Sequence, residues 1–326
     1  MPTVTTKAAR RAADTAPPEA FFVVSAVFHY LGPAFAVLLF ARMDVLGVAW
    51  LRIASAALIF AAWRRPWRSV AGLDGEGRRL IAAWGLTLAA MNACFYVAID
   101  RLPLGTVAAI EFLPVVALAA LGARSRRNAA ALVLAVAGVY LLTDVRLEGE
   151  PLGVALAFVN AALFAVYIVL GHRVARHGAI GGIDGLGASM LVAAAVATPA
   201  LGWAAVPAVS DPVALAAGIG VGVSSSVIPY VTDQLAMARM PRATYALLVS
   251  ILPATATMIG VVVLTQVPSL AELAGVTLVI AAVAVHRDAG EPTVRCSPET
   301  DPSGARSIDD RPALLRQRSG CAPPPG

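Results

Sequence analysis

The chain has 326 residues, of which 59% are hydrophobic and 14% charged, with a formal net charge of +5. A soluble globular domain carries nearer ~25% charge and disperses its apolar residues by amphipathic periodicity. Here they come in near-continuous runs, so a soluble enzyme core is excluded and a polytopic membrane protein is indicated. The basic excess lies in short segments between those runs, where membrane topology uses it, and not in a patch suited to nucleic acid.

In chain order, a basic and polar leader, residues 1–19, precedes an apolar run too long for a signal-peptide core, and is read as a cytoplasmic tail before an uncleaved first span. Ten spans are predicted, at 20–40, 46–63, 79–98, 103–122, 128–143, 152–171, 182–203, 213–232, 242–264 and 270–286, the fifth being the shortest. Residues 287–326 turn to Pro, Gly, Ser and charge and read as a disordered cytoplasmic tail. With both ends inside, the inner segments before the tail collect fifteen Lys and Arg against three outside, Arg42, Arg101 and Arg146. A miscounted helix would send every later loop to the wrong side and destroy that bias.

The two halves echo each other. "AIDRLPLGTVAAIEFLP" at 98–114 aligns with "AMARMPRATYALLVSILP" at 236–253, and the prolines in mid-span are Pro114 and Pro253. The segments lie five helices apart, and an odd number per repeat inverts the second copy. The expected fold is therefore an all-α integral membrane protein of ten transmembrane helices, arranged as inverted five-helix repeats at 20–143 and 152–286. Inverted repeats place a substrate site near the midplane, where the halves meet.

Polar residues inside the spans are the candidate site. Glu111 is the one charge in 102–122, and an acid at a helix centre costs ~2.5–3.5 kcal/mol on insertion scales. Two readings stand: a carboxylate that exchanges a proton or meets a substrate amine, or a fixed ion pair with Arg52 of the second span. Arg52 presents paired N–H groups to a substrate carboxylate, or snorkels to the outer headgroups. Asp233, at the end of the eighth span, either anchors a loop through Arg239 or faces a cavity. Pro229 removes a backbone donor beside "SSSV", so the eighth helix is expected to break there, with Ser224–Ser226 bonding the loosened turn. Asn92, Tyr96, Asn160, Tyr167 and Tyr230 either line a cavity or bond between helices, and His29 and Tyr30 form a polar notch beside Pro33.

Other chemistries find no footing. "GGIDGLG" at 181–187 lacks the glycine directly before the aspartate that an intramembrane protease needs. "GIGVGV" at 218–223 is a close-packing face with no phosphate-binding lysine. Cys94, Cys296 and Cys321 have no ligand spacing. No enzyme activity, cofactor or metal is expected. The expected partners are a small-molecule substrate, protons and the lipid bilayer, with room for a homodimer.

"WLRIASAALIF" (50–60), "NACFYVAIDRLPLGTVAAIEFLP" (92–114), "ALFAVYIVLGHRVA" (162–175) and "IPYVTDQLAMARMP" (228–241) together resemble the drug/metabolite transporter superfamily. Within it they are most similar to the EamA-domain exporters of threonine and homoserine. The resemblance runs from about 20 to 286. It implies ten helices, a bacterial plasma-membrane location with cytoplasmic ends, and efflux of small metabolites driven by the proton gradient. The chain departs from that group at four positions: Tyr30 stands where a Gln is common, Val37 for Lys, Leu252 for Glu and Asp233 for Glu.

Overall fold

The computed structural model describes residues 17–122, 126–147, 150–176, 182–237, 248 and 251–285, and is helical throughout them. The principal helices are α1 Pro18–Leu39, α2 Val45–Arg64, α3 Gly75–Arg101, α4 Leu104–Gly122, α5 Arg126–Leu147, α6 Pro151–Arg176 and α7 Gly182–Leu201. The next, α8, has three pieces: Pro212–Gly222, a π-helical Val223–Val227, and Ile228–Met237. Last come α9 Leu252–Leu264 and α10 Leu270–Val285. Most of both tails and the basic residues Arg124, Arg239 and Arg242 lie outside the described residues.

Local sequence sets the boundaries. Asp44 caps α2 by accepting from Leu46 N at 2.8 Å, Asp74 caps α3 through Gly77 N at 2.8 Å, and Asp211 caps α8 through Val213 N and Ala214 N. Ser269 and Glu272 form a reciprocal capping box at α10, with Ser269 N donating to the carboxylate at 2.8 Å and Glu272 N to the hydroxyl at 3.2 Å. Pro103 forces Leu102 into an extended conformation and so separates α3 from α4. Pro253 sits in the first turn of α9, where a missing N–H costs nothing.

Two expectations need correction. The fifth helix is not the shortest: α5 extends through Arg126–Leu147, 22 residues, because its charged ends continue the helix past the apolar run that marked it. The segment after α2 is not a plain loop, for Trp67–Ala71 forms a short helix.

Six helices among the described residues are long and apolar enough to cross a bilayer, and Leu104–Pro114, Leu252–Leu264 and Leu270–Val285 are shorter apolar helices. Val23, Phe35 and Leu38 on α1, one of the six, are exposed, as are Val133, Val136 and Tyr140 on α5, which is not among them. Such a surface is a liability in water and suits acyl chains.

Between helices, small residues allow close contact. α5 packs on α10 at Gly138 and Gly275, where a Cβ on Gly138 would lie 2.7 Å from the Gly275 carbonyl oxygen. The other main partnerships are α3 with α6 and α7, α2 with α7 and α8, α1 with α8 and α9, and α4 with α6 and α9. This leaves α1, α2, α3, α4, α6 and α8 around one interior.

Candidate functional site

That interior holds a cavity lined by His29 and Pro33 of α1, Arg52 of α2, Met91, Asn92 and Phe95 of α3, and Glu111 of α4. Asn160, Phe164 and Tyr167 of α6 and Tyr230 of α8 complete the wall. It encloses about 40 Å³ of free space, room for a few waters at ~10–15 Å³ each, and too little for an amino acid. The site is closed.

Glu111 is 6% exposed, and its Oε1 accepts a hydrogen bond from Asn160 Nδ2 at 3.1 Å. Among the described residues no ion pair joins it to Arg52, which overturns the fixed-pair reading. Arg52 is 7% exposed, so it does not snorkel to the outer headgroups either. Its Nε donates to Ser226 Oγ at 3.0 Å and its Nη2 to the Ser225 carbonyl at 3.2 Å. The face of the Tyr96 ring lies 5.4 Å from its guanidinium carbon, a cation–π contact in a desolvated setting. Both charges therefore face one chamber, each held by a different helix.

The aromatic wall is continuous. Phe164 and Tyr167 stack at 6.0 Å and 10°, Trp84 packs on Tyr167 at 5.6 Å, and Phe112 meets Phe164 edge-on at 6.3 Å. Asn92 donates Nδ2 to the Leu88 carbonyl of its own helix at 2.7 Å, which anchors its amide and leaves the side chain on the cavity wall.

The remaining sequence candidates separate. Tyr96 stands behind Arg52 and does not line the cavity. Tyr30 is fully buried beside His29, ring centroids 5.2 Å apart, and is also not on the wall. Of the two readings given for Tyr96, the structure shows packing between helices and not the cavity wall, and Tyr30 likewise lies in the packing. Pro114 lies inside α4, one turn from Glu111, and Pro229 follows a π turn of α8; the helix is irregular there but runs on without the break expected. Asp233 lies on the last piece of α8, but its side chain and the proposed Arg239 pair fall outside the described residues. Asp184 of "GGIDGLG" pairs with Arg64 at 2.7 Å, a structural tie between α2 and α7.

Sequence reasoning treated Asn160 as one polar residue among several and missed it as the partner of Glu111. The signal was present: Asn160, Phe164 and Tyr167 recur at helical spacing, and all three line the chamber. Ser225 and Ser226 were expected to serve their own helix. Only Ser224 does so, through the Gly220 carbonyl at 2.8 Å.

Apolar helices with lipid-suited outer faces, gathered around a small chamber lined by Glu111, Arg52 and His29, define the class as a helical membrane protein with a polar interior. Comparison with known proteins narrows that class. Residues 151–286 match the model of the EamA-like transporter family. The threonine/homoserine exporter RhtA of Salmonella typhimurium is 32% identical over 254 residues, covering 77% of this chain and 84% of the exporter. RhtA of Escherichia coli K12 is 31% identical over 260 residues with the same coverage. A crystal structure of a protein 18% identical in sequence superposes with a TM-score of 0.53, over 82% of this chain and 97% of its own; that likeness bears on the fold alone. The chain belongs to the EamA-like transporter family of the drug/metabolite transporter superfamily.

Proposed function

We propose that this protein is a secondary active exporter of small amino acids of the threonine/homoserine type. It sits in the bacterial plasma membrane with both termini cytoplasmic, and works by proton-coupled alternating access. The observation that carries this reading is the separation of charge in the closed chamber. Arg52 and Glu111 line one cavity yet are bonded to different helices and not to each other. A zwitterion brings a carboxylate for the guanidinium and an ammonium for the acid. Asn92 and Asn160 add amide groups, and Tyr167 adds an aromatic wall. The names of the relatives support the substrate class.

The helix partnerships support two repeats, 20–143 and 152–286. Exchanging each helix with the one five further on carries α1–α8 onto α6–α3, α1–α9 onto α6–α4, and α3–α7 onto α8–α2. The pairs α2–α7, α4–α9 and α5–α10 map onto themselves. The family model matches the second of these repeats, at 151–286. Two halves related in this way can rock about a shared chamber. Pro114, Pro229 and Pro253 are the proposed points of bending.

In the cycle, substrate enters from the cytoplasm between Arg52 and Glu111. A proton delivered to Glu111 from outside displaces the substrate ammonium and resets the carrier. Expression in a strain lacking its own exporters is expected to confer resistance to toxic threonine or homoserine, with release of that amino acid into the medium. Unchanged sensitivity in a strain where the chain reaches the membrane would reject this substrate class. The stacked Phe164–Tyr167 pair beside an acid also favours an organic cation. Resistance to a lipophilic cation without amino acid release would select that alternative.

A further inference from the structure

The middle of α8 is wound abnormally, and the cause lies in its sequence. Pro229 has no N–H to give to the carbonyl four residues back, that of Ser225. Immediately before it, Val223–Val227 is a π turn, closed by Ile228 N donating to the Val223 carbonyl. Such turns insert one residue into the helical ladder and recur at functional sites. Arg52 takes up what the ladder loses: Nη2 bonds the Ser225 carbonyl at 3.2 Å, and Nε bonds Ser226 Oγ at 3.0 Å. Ser225 and Ser226 are 0% and 1% exposed, so no bulk water substitutes.

The same turn is pressed from α1. A Cβ on Gly32 would lie 2.7 Å from Ser225 N, so only glycine lets the helices approach this far. Ser25 Oγ donates to the Pro229 carbonyl at 3.2 Å. On the α2 side, Gly222 abuts Ser55 and the Arg52 carbonyl. The π turn thus sits in a vice of two helices, with a cation as the single adjustable jaw.

We propose that Arg52 clamps the π turn of α8 and that a substrate carboxylate opens the clamp by competing for the same guanidinium. Ser225 and Ser226 are positioning residues, and 223–230 is the hinge they control. The inference rests on the reading of Arg52 as the carboxylate seat. The Nε–H and Nη2–H groups that Arg52 gives to Ser226 and Ser225 are the side-on fork of its guanidinium, so a carboxylate seated on that fork through two parallel bonds displaces both serine contacts. Once freed, the Ser225 carbonyl has no donor at Pro229 to return to, and the π turn loses the bond that holds its shape. Occupancy of the chamber is thereby converted into a change in α8, because substrate binds the unclamped state better than the clamped one.

Hydrogen–deuterium exchange and threonine binding on the purified full chain in lipid nanodiscs test this together. In the wild type, threonine is expected to speed exchange of the 223–230 amides. Ser226→Ala lowers the cost of releasing Arg52, so threonine binds about tenfold more tightly, as the loss of one competing charge-assisted bond implies. Its 223–230 amides exchange faster without substrate, and in export assays KM and kcat fall together because the clamp no longer drives release. Pro229→Ala supplies the missing N–H and is expected to slow exchange and blunt the response to threonine, a readout that survives if Ser226→Ala folds poorly. Weaker threonine binding by Ser226→Ala, or threonine binding with no change at 223–230, overturns the clamp and leaves the substrate reading intact. No binding of threonine or homoserine, with 223–230 still loosened by Ser226→Ala, sinks the substrate reading and leaves the clamp.

Discussion

Replacing Glu111 with Gln is expected to abolish proton-driven accumulation and to leave counterflow exchange of substrate weakened, because the substrate ammonium loses its carboxylate. The two side chains are near-isosteric, and Gln Oε1 can still accept the bond that Asn160 Nδ2 gives to Glu111. Packing and assembly should therefore survive, and the loss is confined to the ionisable group. In inverted vesicles the wild type is expected to concentrate substrate when the lumen is acid, and to lose that advantage when the gradient is collapsed. The variant should reach a concentration ratio near one under both conditions. Coupling between linked sites is typically worth ~1–3 kcal/mol, a factor of about 5–150, and that factor is what the substitution removes. Equal accumulation by variant and wild type across pH 6 to 8 would show that Glu111 carries neither proton nor substrate charge.

Removing Arg52 should be costlier, because its side chain has two duties. Arg52→Ala strips the donors from Ser225 and Ser226, both buried, and from the face of Tyr96. Hydrogen bonds to a charged group are worth ~1.5–3 kcal/mol each, so a clear drop in the melting temperature of the detergent-solubilised protein is expected. Truncating one member of a buried charge pair costs ~2–5 kcal/mol, so KM should rise about 30-fold or more. Arg52→Lys keeps the charge but presents a single compact donor group without the planar fork. It should recover part of the stability and little of the affinity. An Arg52→Ala variant with normal KM and lower stability would reduce the residue to a structural tie between α2 and α8.

Much of this arrangement is legible in the chain because lipid imposes one-dimensional rules. Runs of apolar residues mark spans, Asp44, Asp74 and Asp211 mark helix starts, and Pro229 beside three serines marks the irregular turn of α8. Glu111 and Arg52 stand out because a charge inside an apolar run demands a reason. What the sequence hides is which side chain each charge meets. Pairing Glu111 with Arg52 was one of the two readings that charge alone allowed. The structure pairs Glu111 with Asn160 across 49 residues and Arg52 with Ser226 across 174. Those partnerships depend on helix rotation and on the extra residue of the π turn, neither of which a hydropathy pattern records. The choice between cavity and packing stayed open for Tyr30 and Tyr96 for the same reason: a span's polar residues were visible, but the direction each faces was not. The length of α5 was underestimated because Arg126, Arg127 and residues 144–147 lay outside the span read at 128–143, while the helix runs through them.

Transport through this site requires a water-reachable chamber, and accessibility of its wall is the direct measurement. Met91 lines the cavity and is 7% exposed in the closed state, so Met91→Cys in a background with Cys94, Cys296 and Cys321 replaced gives one reporter thiol. A membrane-impermeant thiol reagent is expected to reach it from the cytoplasmic face at rest. Under a proton gradient with substrate present it should reach it from the outer face, and saturating substrate should slow both reactions. Labelling only by a lipid-soluble maleimide, from neither aqueous side and indifferent to substrate, would mean that the wall faces acyl chains and that the chamber is not a transport site.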